Sequence, residues 1–371
     1  MAAAALSPFR SWRIGYARLD YVRPVHWAAH SEDFGDVIVV ELETHDGLRG
    51  AAEAIMRPKW HDTSVEELRS ALTTGLLPAL MVCNRQDHQS VSAELARFRH
   101  HGFACALVDQ ALWDLRAQEE GLPLWKAMGG TDPRLPVSFT LTRTAPSIMA
   151  REAAEMRSKY GFTAFKVKTG QGIDIDRRAI AEIRASVGGD VTIMADSNRA
   201  HDLKSVAAMS SMLADSGVVW FEDPCAFTAD ASFRQAQEES VLPILVDNQS
   251  RSIDAARTFV DLGARAISVK TMKTGITESL AIAKLAQAHN VKLAAGISAS
   301  GGAGAISTLS LAAALPASQV CLACEETFFL YLQQDLIDRP LQVIGGAVDL
   351  SEHDAIAANI DWRRMHAIVA A

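Results

Sequence analysis

Phe165-Lys166-Val167-Lys168, Met194-Ala195-Asp196-Ser197-Asn198, Trp220-Phe221-Glu222-Asp223-Pro224 and Pro243-Ile244-Leu245-Val246-Asp247-Asn248 are four runs of one kind. Each is apolar or β-branched and then stops at charged or amide residues, the pattern of a buried parallel strand whose C-terminal end opens into a site. Asp196 and Glu222 lie 26 residues apart, and Glu222 and Asp247 lie 25 apart. Three acids therefore recur about one strand-helix unit apart. Working outward, strand-like starts fall near Val137, Ala164, Val191, Val218, Pro243, Ala266, Lys292 and Val320, in steps of 27, 27, 27, 25, 23, 26 and 28 residues. Helical periodicity fills the intervals, as over 177–186, 203–214, 254–262 and 276–289. Eight such units predict an α/β fold, a modified (β/α)8 TIM-type barrel. A doubly wound open sheet would show a Gly-rich phosphate turn after its first strand, and Thr140-Leu141-Thr142-Arg143 is not one.

Upstream, residues 1–132 read as an N-terminal α+β capping domain. Strand patterns at 12–17, 36–44 and 48–53 include a hairpin turn at Asp46-Gly47, and a loop from Tyr21 to Phe34 carries His26, Trp27 and His30. Helical patterns follow at 65–80, 90–99 and 105–118. Gly129-Gly130-Thr131-Asp132-Pro133 punctuates the exit, which makes 133–329 the barrel. The segment 330–371 lacks the barrel rhythm and is expected to pack back on the cap.

The 371 residues are 49% hydrophobic, enough for a large core, and the net charge of -8 argues against nucleic acid as a main partner. No apolar run reaches the roughly 18 residues of a membrane span. The opening Met1-Ala2-Ala3-Ala4-Ala5-Leu6 lacks the basic start of a signal peptide and reads as a frayed end. Five cysteines, an odd number in a long chain, fit reduced thiols and a cytoplasmic protein. Cys321-Leu322-Ala323-Cys324 has redox-pair or zinc-pair spacing, but it stands alone in an apolar run and reads as structural.

Asp196, Glu222 and Asp247 would project from the ends of barrel strands three, four and five, where barrels of this kind carry their chemistry. Three hard oxygen ligands without Cys or His suit Mg2+ or Mn2+. The competing interpretation makes them helix caps or partners of arginines. Lys166 and Lys168 share one face of strand two, because side chains alternate along a strand. Lys270 lies on strand six, on the opposite side of an eight-stranded barrel. Two amines would then face a carboxylate substrate from opposite sides. A lysine serves as a base near neutrality only if its pKa falls several units from about 10.4. The alternative pairs these lysines with the acids in a salt-bridge network.

On Lys166-Val167-Lys168, Asp196 with Asn198, Glu222-Asp223-Pro224, Asp247 and Lys270-Thr271-Met272-Lys273, the chain resembles the enolase superfamily in its muconate lactonizing enzyme subgroup. The similarity extends through Ala111-Leu112-Trp113-Asp114-Leu115 and Leu122-Pro123-Leu124-Trp125. The mandelate racemase subgroup would place a His at the end of strand seven, and Lys292-Leu293-Ala294-Ala295-Gly296-Ile297 has none. The resemblance implies that Asp196, Glu222 and Asp247 hold Mg2+, that Lys168 and Lys270 are acid/base groups, and that Lys166 assists the substrate carboxylate. It also implies cap loops closing over the barrel mouth, a small-molecule carboxylate substrate and a homo-oligomer.

The shared step of that family is removal of the proton α to a carboxylate, giving an enediolate. A racemase or epimerase of an amino-acid derivative is the first expectation. A hydroxy-acid or hydroxyproline-type dehydratase, or a cycloisomerase, is the alternative on the same scaffold. A Schiff-base aldolase using Lys270 and a non-enzymatic binding protein are the readings from other classes. Asn198, His26, Trp27, Arg57, Ser298 and Ser300 are the expected substrate contacts, with Met56 and Trp60 on the same cap loop as Arg57. Asn248, the single Gly275, Ser300 and Glu325-Glu326 depart from the subgroup pattern, and they bear on the substrate more than on the chemistry.

Overall fold

A computed structural model describes residues 8–27, 30–58, 63–83, 85 and 88–370. Its centre is a seven-stranded parallel sheet: Phe139–Leu141, Ala164–Lys168, Thr192–Asp196, Val218–Glu222, Ile244–Val246, Ala266–Val269 and Lys292–Ala295, each bonded to the next. These are barrel strands one to seven. Helices cover the outside, so most strand residues are buried on both faces, and the runs read as continuously apolar for that reason. Met194, Leu245, Ala266, Ala294 and Leu322 form a separate buried cluster. Met194 is two residues before Asp196 and pairs with Lys166, which puts it on the face that carries the lysines.

The expected eighth strand is reduced to bridges. Val320 pairs in parallel with Leu293 and Cys324 with Val137, which joins the two edges of the sheet without a continuous ladder. Beyond the end of strand seven, the N–H groups of Ile297, Ser298 and Ser300 donate to the carboxylates of Glu325 and Glu326 at 3.0, 2.6 and 3.1 Å.

Before the barrel, strands Phe9–Trp27, His30–Thr44 and Arg49–Met56 form an antiparallel sheet, extended on its other edge by His366–Ala370. The Asp46-Gly47 turn is present, with Gly47 at φ 87°. The loop expected from Tyr21 to Phe34 is a correction. Chain pairing continues through Val25↔Glu32, His26↔Ser31 and Trp27↔His30 after an irregularity between Asp20 and Val25. Pro24 and the polar residues disguise the pattern, yet Val25 and Trp27 are buried at alternate positions, as a strand requires. Within 330–371, Ala347–Asp349 pairs with Arg134–Pro136 at the entrance to the barrel and with Val343–Ile344 on its other side.

Two buried acids tie these parts together. Asp114, on helix Gly102–Glu119, accepts from the N–H groups of Ala51, Ile356 and Ala357 at 2.9, 2.7 and 2.9 Å. Asp109 on the same helix accepts from Ile276 and Thr277 N–H at 2.6 and 2.9 Å. The second contact needs Gly275: its φ of 73° breaks helix Thr271–Ala288, and a Cβ there would lie 2.6 Å from Asp109 Oδ2. Asp114→Ala leaves three N–H groups without their acceptor. The expected loss is about 2–5 kcal/mol, read as a shift in the urea midpoint; an unchanged midpoint would contradict this role.

Candidate active site

The parallel register aligns the site. Lys168 pairs with Asp196 and Asp196 with Glu222 across strands two, three and four, while Asp247 and Lys270 follow strands five and six by one residue. All of these stand at C-terminal strand ends. Lys166 Nζ donates to Glu222 Oε2 at 2.7 Å and Glu325 Oε2 at 2.8 Å, and lies 3.1 Å from Asp196 Oδ2. Lys168 Nζ donates to Asp196 Oδ2 at 2.6 Å and to Asn198 Oδ1 at 3.1 Å, with its ammonium 5.3 Å from the centroid of the Trp27 ring. Lys270 Nζ donates to Asp247 Oδ2 at 2.5 Å. Lys273 Nζ bonds Asp247 Oδ1, Asp247 O and Ser268 O at 3.2, 2.8 and 2.8 Å.

Burial sets the electrostatics of these groups. It opposes the charge on Lys166, but Glu222, Glu325 and Asp196 outweigh it and hold this ammonium well above the ordinary lysine range. Lys168 goes the other way: burial and the repulsion of Lys166 pull its pKa down against the support of Asp196. Lys270 is raised, because Asp247 outweighs its burial. Burial and Asp196 push Glu222 well above the usual carboxylate range, whereas Asp196 and Asp247 stay low because their lysines overcome burial.

The cluster faces a cavity of about 570 Å³ lined by Lys168, Lys270, Asn198, Asp247 and Trp27 among others. Arg57 and Ser298 also line it, so most of the sequence-predicted site residues share one space. Lys166, Asp196 and Glu222 lie beneath its wall. Two predicted contacts, His26 and Ser300, need correction. His26 is not among the lining residues; it alternates with Val25 and Trp27 along its strand and so leaves the face from which Trp27 meets the cavity, while its backbone carbonyl accepts from Arg143 N–H at 3.2 Å. Ser300 is buried behind the wall, where its N–H is held by Glu326. Arg57 is buried and spends its guanidinium on Glu32 Oε2, Tyr21 Oη and Ala299 O at 3.2, 3.2 and 2.9 Å. Trp60 lies outside the described residues.

Several functional residues escaped the sequence reading. Glu325 completes the acid shell of Lys166. Asp223, at φ 39°, accepts from the N–H of Asp247 and from the N–H and side-chain amide of Asn248 at 3.0, 2.9 and 2.6 Å, which fixes the end of strand five. Glu326, lifted by burial to about 7, holds the turn from Ser298 to Ser300, whose Ala299 sits at φ 55°. Arg143 donates to the carbonyls of Thr169 and Ser197 at 2.6 and 2.7 Å, the residues directly after Lys168 and Asp196. Arg143→Met should loosen both strand ends and slow turnover about 10- to 100-fold. Steady-state kinetics beside a melting curve checks this; a large drop in melting temperature with normal turnover of the folded fraction would contradict it.

Both halves of the chain match known families: residues 16–129 the mandelate racemase / muconate lactonizing enzyme N-terminal domain, and 148–363 the family described as enolase C-terminal domain-like. The chain belongs to the enolase superfamily. Within its mandelate racemase/muconate lactonizing enzyme group, it is 27% identical to o-succinylbenzoate synthase of Geobacillus stearothermophilus, over 89% of this chain and 88% of that protein. It is 25% identical to L-Ala-D/L-Glu epimerase of Clostridium acetobutylicum, over 81% and 85%. Its fold superposes on a muconate lactonizing enzyme from Mucobacterium Smegmatis complexed with muconolactone, with TM-score 0.90, 26% identity and coverage of 95% and 97%. A dipeptide epimerase from Enterococcus faecalis, complexed with Mg and L-Leu-L-Tyr, shares the fold at TM-score 0.87 and 22% identity, with coverage of 94% and 99%. The chain is thus an enzyme of isomerase or lyase type in this superfamily.

Two dipeptide epimerases that share the fold are complexes with Mg. Among the described residues no three His, Cys, Asp or Glu side chains are drawn together as a ready ligand cage. Lysine ammonium groups stand between the acids and supply the positive charge. Two observations still favour a hard cation: the donors are carboxylate oxygens only, and Glu222 Oε1 is buried with no hydrogen-bond partner. The residues fit Mg2+ by donor chemistry.

Proposed function

We propose that this chain catalyses Mg2+-dependent removal of the proton α to a carboxylate, as a racemase or epimerase of an amino-acid derivative. One observation carries the proposal: Lys168 from strand two and Lys270 from strand six line the same cavity, each salt-bridged to a different acid, Asp196 and Asp247. A substrate between them would offer its α-carbon to one amine on each face. The unprotonated amine takes the proton, the electron pair moves into the carboxylate to give an enediolate, and the opposite ammonium returns a proton to the other face. Lys168, already lowered, is the readier base. Lys166 keeps its charge and holds Asp196 and Glu222 in place. Asp196, Glu222 and Asp247 would hold the ion, which would stabilise negative charge developing on the substrate carboxylate.

Mg2+ is the ion proposed, supported by relatives of the same fold that are complexes with Mg. The same proposal takes 1–132 as cap, 133–329 as barrel and 330–371 as the returning segment, and the enzyme as a cytoplasmic homo-oligomer. The proximity of the chain to o-succinylbenzoate synthase favours a second reading, a lyase or cycloisomerase in which a β substituent leaves after proton loss. A Schiff-base aldolase fits less well, since nothing in that chemistry calls for the three carboxylates Asp196, Glu222 and Asp247 beside the lysines. The test is to incubate single enantiomers of N-acylamino acids, dipeptides and hydroxy acids with enzyme and Mg2+, then separate products on a chiral column. Appearance of the mirror form or epimer is expected. An unsaturated or cyclised product would replace the racemase reading with the lyase one.

A further inference from the structure

Gly296 follows strand seven directly and stands beside Lys270. Strands six and seven pair in parallel, Ser268 with Ala294 and Val269 with Ala295, and the N–H of Gly296 donates to the carbonyl of Val269 at 3.0 Å. Ala266 and Ala294 belong to the buried cluster that also holds Met194, so by alternation Ser268, Lys270 and Gly296 continue the same face. Gly296 is buried, and it is not in the left-handed region, so its backbone conformation is open to any residue. Space is what excludes a side chain. A Cβ built on Gly296 would lie 2.6 Å from Lys270 Cε and 3.3 Å from Lys270 Cγ, and would also strike Ser268 Oγ. Carbon atoms in contact stand about 3.5–4.0 Å apart, so the lysine stem already occupies the volume that a Cβ would take.

We propose that Gly296 is a positioning residue: the space left by its missing side chain is the channel along which the Lys270 stem runs, and that channel sets where the ammonium meets the α-carbon. This rests on the two-lysine reading of proton abstraction. Both groups that a Cβ would strike can move. Ser268 Oγ is buried without a hydrogen-bond partner, so turning it breaks no bond. Lys270 lines the cavity and can swing into it. Moving Cε carries Nζ with it, away from Asp247 Oδ2, to which it now donates at 2.5 Å. Asp247 itself would stay in place, since Lys273 Nζ holds its Oδ1 and its carbonyl at 3.2 and 2.8 Å. Lys168 belongs to strand two, which does not neighbour strand seven. The displacement is therefore confined to one of the two amines, and a methyl group at position 296 would turn a two-sided site into a one-sided one.

The test sets Gly296→Ala beside the wild type, Lys270→Ala and Lys270→Ala/Gly296→Ala. Deuterium exchange with Mg2+ is followed in each enantiomer of N-acetylphenylalanine and N-succinylphenylalanine, together with a melting curve and a crystal structure of the Gly296→Ala protein. Gly296→Ala should lose exchange about 100-fold from the enantiomer that Lys270→Ala also loses, a misplacement of about 1 Å being enough. Exchange from the other enantiomer should stay within about twofold, and adding Gly296→Ala to Lys270→Ala should change either rate by no more than about twofold. The melting temperature should fall by no more than about 4 °C, and the crystal structure should show Lys270 Nζ moved off Asp247. If Gly296→Ala folds poorly, the set is repeated on Ser268→Ala, which removes the contact with the hydroxyl and keeps the one with Lys270. Equal loss from both enantiomers, a loss that persists in full in the Lys270→Ala background, or an unmoved Lys270 overturns the proposal. A displaced Lys270 in a protein whose wild type exchanges no α-proton would support the positioning role while counting against the proton-abstraction reading. Exchange by the wild type and Gly296→Ala alike would do the reverse.

Discussion

Lys168→Ala and Lys270→Ala are expected to give mirror-image defects. Each variant should lose α-proton exchange from one enantiomer of the substrate by about 10²–10⁴-fold, the usual contribution of a positioned acid or base. Exchange from the other enantiomer should survive in part, because the remaining amine still faces its own side of the α-carbon. Racemisation, which needs both amines, should vanish in both variants. The two lysines come from strands two and six, line one cavity, and are held by separate acids, Asp196 and Asp247. Deuterium incorporation into each pure enantiomer, followed by proton NMR, reads the effect. If both variants lost exchange from the same enantiomer, one lysine would be the sole base and the other an electrostatic support.

Lys166→Met should produce the largest change in the metal-free protein. Lys166 is fully buried and is the common partner of Glu222, Glu325 and Asp196. Removing it leaves Glu222 and Glu325 without their cation and Asp196 with Lys168 alone, a loss on the order of 3–5 kcal/mol. Binding of a divalent ion to the same acids would restore part of that charge balance. Mg2+ is therefore expected to raise the melting temperature of the variant more than that of the wild type, since a ligand that binds only the folded state stabilises it. Differential scanning calorimetry with and without Mg2+ makes the comparison. A variant as stable as the wild type in the absence of Mg2+, or one that Mg2+ does not stabilise, would contradict the charge assignment.

How legible each part was depends on how local its signal is. Lys166, Lys168, Asp196 and Glu222 could be placed from sequence because a buried parallel strand is a short apolar run, and the residues that end it are the ones at the barrel mouth. The same logic gave Lys270 its place. It failed at Tyr21–Phe34, where Pro24 and a register irregularity hide the alternation of Val25 and Trp27. It also failed at the eighth strand, which is reduced to the bridges Leu293↔Val320 and Val137↔Cys324.

Arg143 was illegible for a different reason: its partners are the backbone carbonyls of Thr169 and Ser197, which leave no trace in residue identity. Arg57 lines the cavity as expected, and only the fold shows Tyr21 and Ala299 closing on its guanidinium. Lys273 is anchored by the backbone carbonyls of Asp247 and Ser268, which are again invisible in residue identity. Long-range contacts to main-chain atoms are what a single sequence conceals most completely.

The measurement that tests the central claim most directly is α-proton exchange in D2O by the wild-type enzyme, run on N-acylamino acids with Mg2+ and again after chelation. The account predicts a deuterium-for-proton replacement at the α-carbon that needs Mg2+ and disappears when Lys168 and Lys270 are both alanine. Exchange that continues after chelation, or in the double alanine variant, would contradict it.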